Sequence, residues 1–392
     1  MQYKISIVIP CRDDNCKIFT QTLKAIAMQT LQPDEVIIID SSSTDDIQLA
    51  IEESAVQNIV TCYKRIPPAF AGLSTNLGIS IAQCELIALL DSKTLPEKAW
   101  LEAYLKFLQE KSVDIIFGKT KFNYTTSFQR AVRAASYGNI PHETVPGSLF
   151  FKEVGMKVRF KENLRAGYDL DWKERLQEKF DAFTPLESFI TYAQFPSNIK
   201  DLAAKYFIYS FYTGMISANK SIKDLYLSIT LIITALLIPR WNLMLADWEE
   251  SILYIPDITK KYLLTLVVLF LALSILSAFF QQALKKLLLY KTLKVILSFF
   301  AFYCIYNWNA EIARWAEDAV YYIPHITKIF ITLVLTSSIV LRGVIQPIRK
   351  KEDINYLLPF RWLQIGCIGL LMDAAKAPGL IFGSIRGRFG LN

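Results

Sequence analysis

The chain has 392 residues, 53% of them hydrophobic and 20% charged, with a mean hydropathy of +0.28. A water-soluble domain of this length rarely averages positive hydropathy, so part of the chain is expected in lipid; 15 glycines, 15 prolines and 6 cysteines exclude collagen, disorder and a disulfide scaffold. The charge excess of +7 falls wholly in the apolar residues 221–392, because residues 1–220 balance to zero, and this argues against nucleic acid as a partner.

Residues 1–220 alternate short apolar runs with helical patterns. The runs at 5–10, 35–40, 58–63, 85–91 and 113–118 are continuous, as in strands buried on both faces. Helical patterns lie between them at about 16–29, 45–55, 72–83 and 97–110. This β-α-β-α order predicts an open, mainly parallel, Rossmann-like α/β sheet. Ligands of such sheets bind beyond the carboxyl ends of the strands, where this sequence places Arg12-Asp13-Asp14, Asp40 and Asp91. Met1 runs directly into the first strand pattern rather than a signal sequence, so this half is expected in the cytosol. Cys11, Cys16, Cys62, Cys84, Cys304 and Cys367 form no CxxC pair and are expected as reduced thiols.

The second half differs. Stretches 225–239, 262–280, 293–306 and 329–345 carry almost no charge and are flanked by Trp241, Trp308, Tyr290 and Tyr306, suited to the membrane interface. Residues 241–260 and 308–328 repeat a WN…W…YIP…ITK pattern, each linking two apolar stretches. The reading is an α-helical transmembrane domain of four spans, built as two repeated hairpins. Lys285, Lys286, Lys291 and Lys294 between the hairpins place that segment, the N-terminal domain and the C-terminus on the cytoplasmic side. Residues 199–221 mix aromatics with lysines like a helix lying in the membrane plane. In the tail, Gly379, Gly383 and Gly387 recur every four residues, which allows close helix packing. The expected divisions are 1–198, 199–221, 222–345 and an interfacial tail, 346–392.

Five segments in order then resemble glycosyltransferase family 2, the nucleotide-sugar enzymes of the GT-A fold. SIVIPCRDD looks like that family's opening strand and turn, and IIIDSSSTDD like its second strand. STNLGISIAQCELIALLDSKTLPEKAWL is similar to the stretch leading into the Asp-x-Asp motif. VPGSLFF and RAGYDLDWKERL look like the acceptor loop and the Glu-Asp motif. The membrane tail is like that of bacterial members in polysaccharide assembly.

The resemblance implies a nucleotide-sugar site at Pro10, Arg12, Asp13, Asp40, Asp91 and Lys93, although Asp13 and Asp40 could equally cap turns. It implies a divalent cation, Mg²⁺ or Mn²⁺, held by Asp-x-Asp, with Asp91 as ligand. Here the second carboxylate is Lys93. Three readings stay open: Lys93 neutralises the diphosphate itself, metal binds through Asp91 and other groups, or catalysis is impaired. Asp169 corresponds to the candidate base, with Tyr168 replacing the preceding Glu, and its alternative is an ordinary helix cap. His142, Gly147 and Trp172 fall on the acceptor side, where His142 could serve only as a hydrogen-bonding residue and Trp172 only as core. No Gln-x-x-Arg-Trp motif is present, since Arg361-Trp362 follows Leu358, so transfer of one sugar is expected rather than processive synthesis. The implied function is an inverting glycosyltransferase of the cell inner membrane, acting on a polyprenyl- or other lipid-linked acceptor. The alternative is a weakened family member serving as a partner subunit.

Overall fold

The computed structural model describes residues 3–52, 60–192, 195–216, 336 and 338–389. The expected spans at 225–239, 262–280 and 293–306, and both copies of the WN…YIP repeat, lie outside the described residues. Of 329–345 only 336 and 338–345 are described, and these are helical. Residues 1–219 and 342–392 form one compact unit.

The unit begins β1 (Ile5–Cys11), α1 (Cys16–Ala27), β2 (Glu35–Asp40), α2 (Asp46–Glu52), β3 (Cys62–Arg65), α3 (Ala71–Ile81), β4 (Leu86–Leu89). The run at 35–40 is a strand end to end, whereas in the run at 58–63 Val60 and Thr61 precede a strand that begins at Cys62. α1 starts where Asn15 accepts hydrogen bonds from the backbone N–H groups of Lys17 and Ile18, two donors with no partner inside the helix. Then follow β5 (Thr94–Pro96), α4 (Trp100–Lys111), β6 (Ile115–Phe122), α5 (Ser127–Ser136), β7 (His142–Phe151), α6 (Lys152–Lys157), α7 (Tyr168–Gln177), β8 (Ala182–Phe183), β9 (Ile190–Tyr192) and α8 (Ile199–Met215).

The strands form one sheet in the order β3-β2-β1-β4-β7-β6-β9-β5, with β8 beside β6. β3, β2, β1 and β4 are parallel, as the alternating pattern requires. Beyond β4 the sheet turns mixed: β7 is antiparallel to both β4 and β6, and β5 is antiparallel to β9. The expectation of a mainly parallel sheet is corrected there. The stretch at 142–151 is a strand of ten residues rather than a loop, because LFF continues the apolar pattern into the register Leu86↔Phe151 and Ile87↔Phe150. Alternation along the strands divides the core. Ile5, Ile7 and Ile9 pack with Phe19, Trp100 and Tyr104 on one face, while Val8, Ile37 and Ile39 pack with Phe160 and Trp172 on the other.

The C-terminal residues fold back onto this unit as α9 (Gln346–Arg349), α10 (Ile354–Leu357) and α11 (Arg361–Phe389). A third core joins Ala131, Val132 and Ala135 of α5 to Leu202, Tyr356, Leu357, Ile365, Ile368 and Met372. Within it Glu352, which is 5% exposed, accepts two hydrogen bonds from Nη2 of Arg133, at 2.9 and 3.0 Å. Such a pair, once desolvated, is costly to break from one side. α11 meets α8 at close range, as the glycine spacing predicts. A Cβ at Gly379 or Gly383 would collide with the carbonyl oxygen of Phe207 or Phe211. Among the described residues one helix, Arg361–Gly387, is long and apolar enough to cross a membrane, and half of its most apolar window is buried inside the protein. Among the described residues Cys11, Cys16, Cys62, Cys84 and Cys367 form no disulfide.

Candidate active site

The carboxyl ends of β1, β2 and β4 point the same way and gather the charged residues the sequence marks. Cys11, at the end of β1, reports the crowding. Burial raises its thiol well above the usual value, and Asp14, Asp40 and Asp91 push it further while Lys93 opposes them. Four of the groups under discussion therefore surround one strand end.

On the β2 side the carboxylates are satisfied within the protein. Asp40 has no exposed surface; one oxygen accepts from the backbone N–H of Ser42 (2.9 Å) and the other from the Tyr63 hydroxyl (2.8 Å). It holds the Ser41–Ser43 turn rather than facing the opening. Asp13, by contrast, is exposed. Its carboxylate accepts from the Ser43 backbone N–H (2.8 Å) and hydroxyl (2.7 Å), and these bonds hold it below the ordinary aspartate value. Arg12 donates to the Ala69 carbonyl (3.0 Å) and lies over the Phe70 ring. Pro10 sits one residue before the end of β1, paired with Ile39.

On the β4 side the electrostatics are under tension. Lys93 Nζ is 2.8 Å from Asp14 Oδ1, and the Ser92 hydroxyl donates to Asp14 Oδ2 at 2.5 Å. Asp91 accepts from the Lys93 backbone N–H (3.0 Å). Burial raises the Asp91 carboxyl above its ordinary value, with Asp14 adding to the effect and Lys93 opposing it. Burial disfavours the Lys93 ammonium, but Asp14 and Asp91 outweigh it and hold Lys93 above the usual lysine value. Asp14 is a member of this cluster that reading strand ends noticed but did not select. Its i+78 partner Ser92 could not be foreseen from spacing.

This donor set can be compared with what a divalent cation needs. Two carboxylates, Asp14 and Asp91, share the site with an ammonium that is already ion-paired to one of them. Among the described residues no three His, Cys, Asp or Glu side chains come together as a metal site. A hard dication is poorly served by carboxylates that already neutralise a cation. The residues as placed do not fit a resident Mg²⁺ or Mn²⁺.

Asp169 stands in the first turn of α7. Gly167, at φ +75°, bends the chain into α7 without the steric cost a side chain would bring, so Tyr168 and Asp169 open the first turn. Asp169 is the second helical residue, not the cap. It retains some exposed surface, yet burial raises its carboxyl, Asp91 adds to that rise, and the Leu170 N–H and Lys173 oppose it. Tyr168 feels Asp169, Asp91 and Asp14. The expected base and the expected diphosphate group thus share one field.

The acceptor-side positions do not all reach it. Trp172 has no exposed surface, stacks on Phe160 at 4.4 Å and donates to the Val158 carbonyl; its flat apolar ring belongs to the core. Gly147 is buried in β7, its carbonyl accepting from Trp100 Nε1 (3.1 Å). His142 is half-buried behind Tyr137, its Nε2 2.8 Å from the Tyr137 carbonyl oxygen, and burial lowers its pKa. Tyr168, Tyr192 of β9 and Tyr209 of α8 instead each come under the influence of the Asp91 charge.

Residues 6–166 match the family described as Glycosyl transferase family 2. The glycosyltransferase GlyG of Streptococcus pneumoniae serotype 4 is 30% identical over 128 residues, which are 32% of this chain and 42% of that protein. An uncharacterized glycosyltransferase of Rickettsia conorii is 32% identical over 182 residues, covering 42% of this chain and 29% of that one. The chain spans less than half the length of these relatives. A crystal structure of S. aureus TarS 1–349 with UDP-GlcNAc is similar at a TM-score of 0.40 and 14% identity, over 57% of this chain and 70% of that one.

Proposed function

Residues 6–166 belong to glycosyl transferase family 2, and from that premise we propose that the chain moves a single sugar from a nucleotide-diphosphate donor to a lipid-linked acceptor. The carrying observation is that Asp169, in the first turn of α7, comes under the charge of Asp91, a member of the Asp14–Asp91–Lys93 cluster at the strand ends. Arg12 and Asp13 border the nucleotide, with Asp40 positioning the turn beside it. Asp169 takes the proton of the acceptor hydroxyl. The freed oxygen pair attacks the anomeric carbon opposite the leaving group, inverting it. The carbon–oxygen bond to the diphosphate breaks, its electron pair leaves with the phosphate oxygen, and Lys93 balances the charge that arrives there. A lipid phosphate acceptor is already anionic and needs no base.

Membrane attachment is supported by what α8 and α11 expose. Ile199, Phe207, Ile381, Phe382 and Ile385 are apolar side chains at the surface of two helices whose other faces are packed. A chain anchored by several spans, with its catalytic domain and C-terminus cytoplasmic, would meet its acceptor at that surface. One observation favours the partner-subunit reading: the Lys93–Asp14 ion pair stands where the family uses a second carboxylate. Assay of purified full-length protein against common nucleotide sugars and a polyprenyl-linked acceptor, beside Asp169→Asn, tests the proposal. Sugar transfer by wild type that is lost in the variant supports it. Silence of both under every donor would leave the partner subunit.

A further inference from the structure

Two lysines face this site, and their circumstances are opposite. Lys93 is ion-paired to Asp14. Lys205, half-buried on α8, has its ammonium over two tyrosine rings instead, 5.6 Å from the centre of Tyr192 and 5.4 Å from that of Tyr209. The register Thr94↔Tyr192 between β5 and β9 sets Tyr192 across from the residue after Lys93, so the stacked ammonium stands beside the diphosphate cluster. Among the described residues no carboxylate pairs with it. Cation–π contacts recover less than an ammonium loses on leaving water. Its three N–H donors are left for something that arrives.

We propose that Lys205 is an anion-binding residue of this site, receiving phosphoryl oxygens of a substrate held between α8 and the β5–β9 edge. The inference rests on the glycosyl-transfer reading. The ligand chemistry is a phosphate ester anion, either the donor's diphosphate or the phosphate headgroup of a lipid acceptor. The contrast between the lysines agrees with it. Burial first, and then the like charge of Lys93, pull the Lys205 amine down to about 8 despite Asp91, whereas Lys93, which has its anion, is held up.

The test measures binding, not turnover. Purified full-length protein in detergent is titrated calorimetrically with inorganic pyrophosphate and, separately, with farnesyl phosphate, for wild type, Lys205→Met, Lys205→Arg and Lys93→Met. Loss of a hydrogen-bonded charge should weaken one of these anions about ten-fold or more in Lys205→Met, with Lys205→Arg restoring it to within a few-fold. Weakening of pyrophosphate identifies the donor diphosphate as ligand, and weakening of farnesyl phosphate identifies the lipid headgroup. Lys205→Gln, which keeps much of the stem, repeats the measurement if Lys205→Met does not fold. Unchanged affinity for both anions in the Lys205 variants, with pyrophosphate weakened in Lys93→Met, overturns the role of Lys205 and leaves the glycosyl-transfer reading standing. A wild type that binds neither anion overturns both.

Discussion

The two sides of the site use carboxylates in opposite ways. Beside β2, Asp40 and Asp13 accept hydrogen bonds from N–H and O–H donors, and these bonds hold a turn in place. Beside β4 and α7, Asp91 and Asp169 are desolvated, so burial holds each above its ordinary value. A satisfied carboxylate builds; a strained one has free energy to give to a reaction. Substitutions on the first side should therefore appear in stability, and those on the second in rate.

Asp169→Asn breaks the comparison most severely. Removal of a general base costs on the order of 10²–10⁴ in rate, so transfer to a hydroxyl acceptor should nearly vanish while nucleotide affinity, measured by titration, stays close to wild type. Unchanged turnover would take Asp169 out of the chemistry and favour a phosphate acceptor. Lys93→Ala should cost about 10²–10³ in turnover, as for loss of one charge-stabilising donor. Loss of melting temperature without loss of rate in the folded fraction would make Lys93 structural. Tyr63→Phe samples the other side. It leaves a buried Asp40 oxygen without its donor, about 1–3 kcal/mol in denaturant unfolding, with turnover of the folded protein little changed.

The smallest effect is in pH. Asp169 must be ionised to accept a proton, and its folded value lies above the ordinary 3.8. Turnover should therefore fall, as pH drops, at a higher pH than an exposed aspartate would give. Lys173 favours the charged form, so Lys173→Met should move that acid limb upward. A limb that stays in place, or moves down, would separate it from Asp169.

The parallel half of the fold was legible because buried strands announce themselves as continuous apolar runs between helical patterns; 35–40 is an example without remainder. The other half was not. β7 begins with the polar HETVPG, which reads as loop, and becomes strand through pairing with β4 and β6. Within the site, Asp91, Lys93 and Asp169 were legible as residue types at strand and helix ends. Asp14 was visible but undistinguished from Asp13 beside it, since only the distant Ser92 and Lys93 tell them apart. Trp172 could be a surface platform or core on sequence grounds, and the ring of Phe160 decides it. Lys205 looked like one more lysine of an in-plane helix until Tyr192 gave it a place. Glu352 lies 219 residues from Arg133 and belongs to a tail that gave no hint of docking on α5.

Turnover with and without divalent metal, for wild type and Lys93→Asp, tests most directly whether Lys93 does electrostatically what a metal would do. Wild type is expected to keep its activity in EDTA and gain little from Mn²⁺, because its ammonium already stands beside Asp14 and Asp91. Lys93→Asp removes that cation and supplies a third carboxylate, so its activity should require Mn²⁺. A wild type that is silent in EDTA and fully active in Mn²⁺ would contradict the assignment of Lys93.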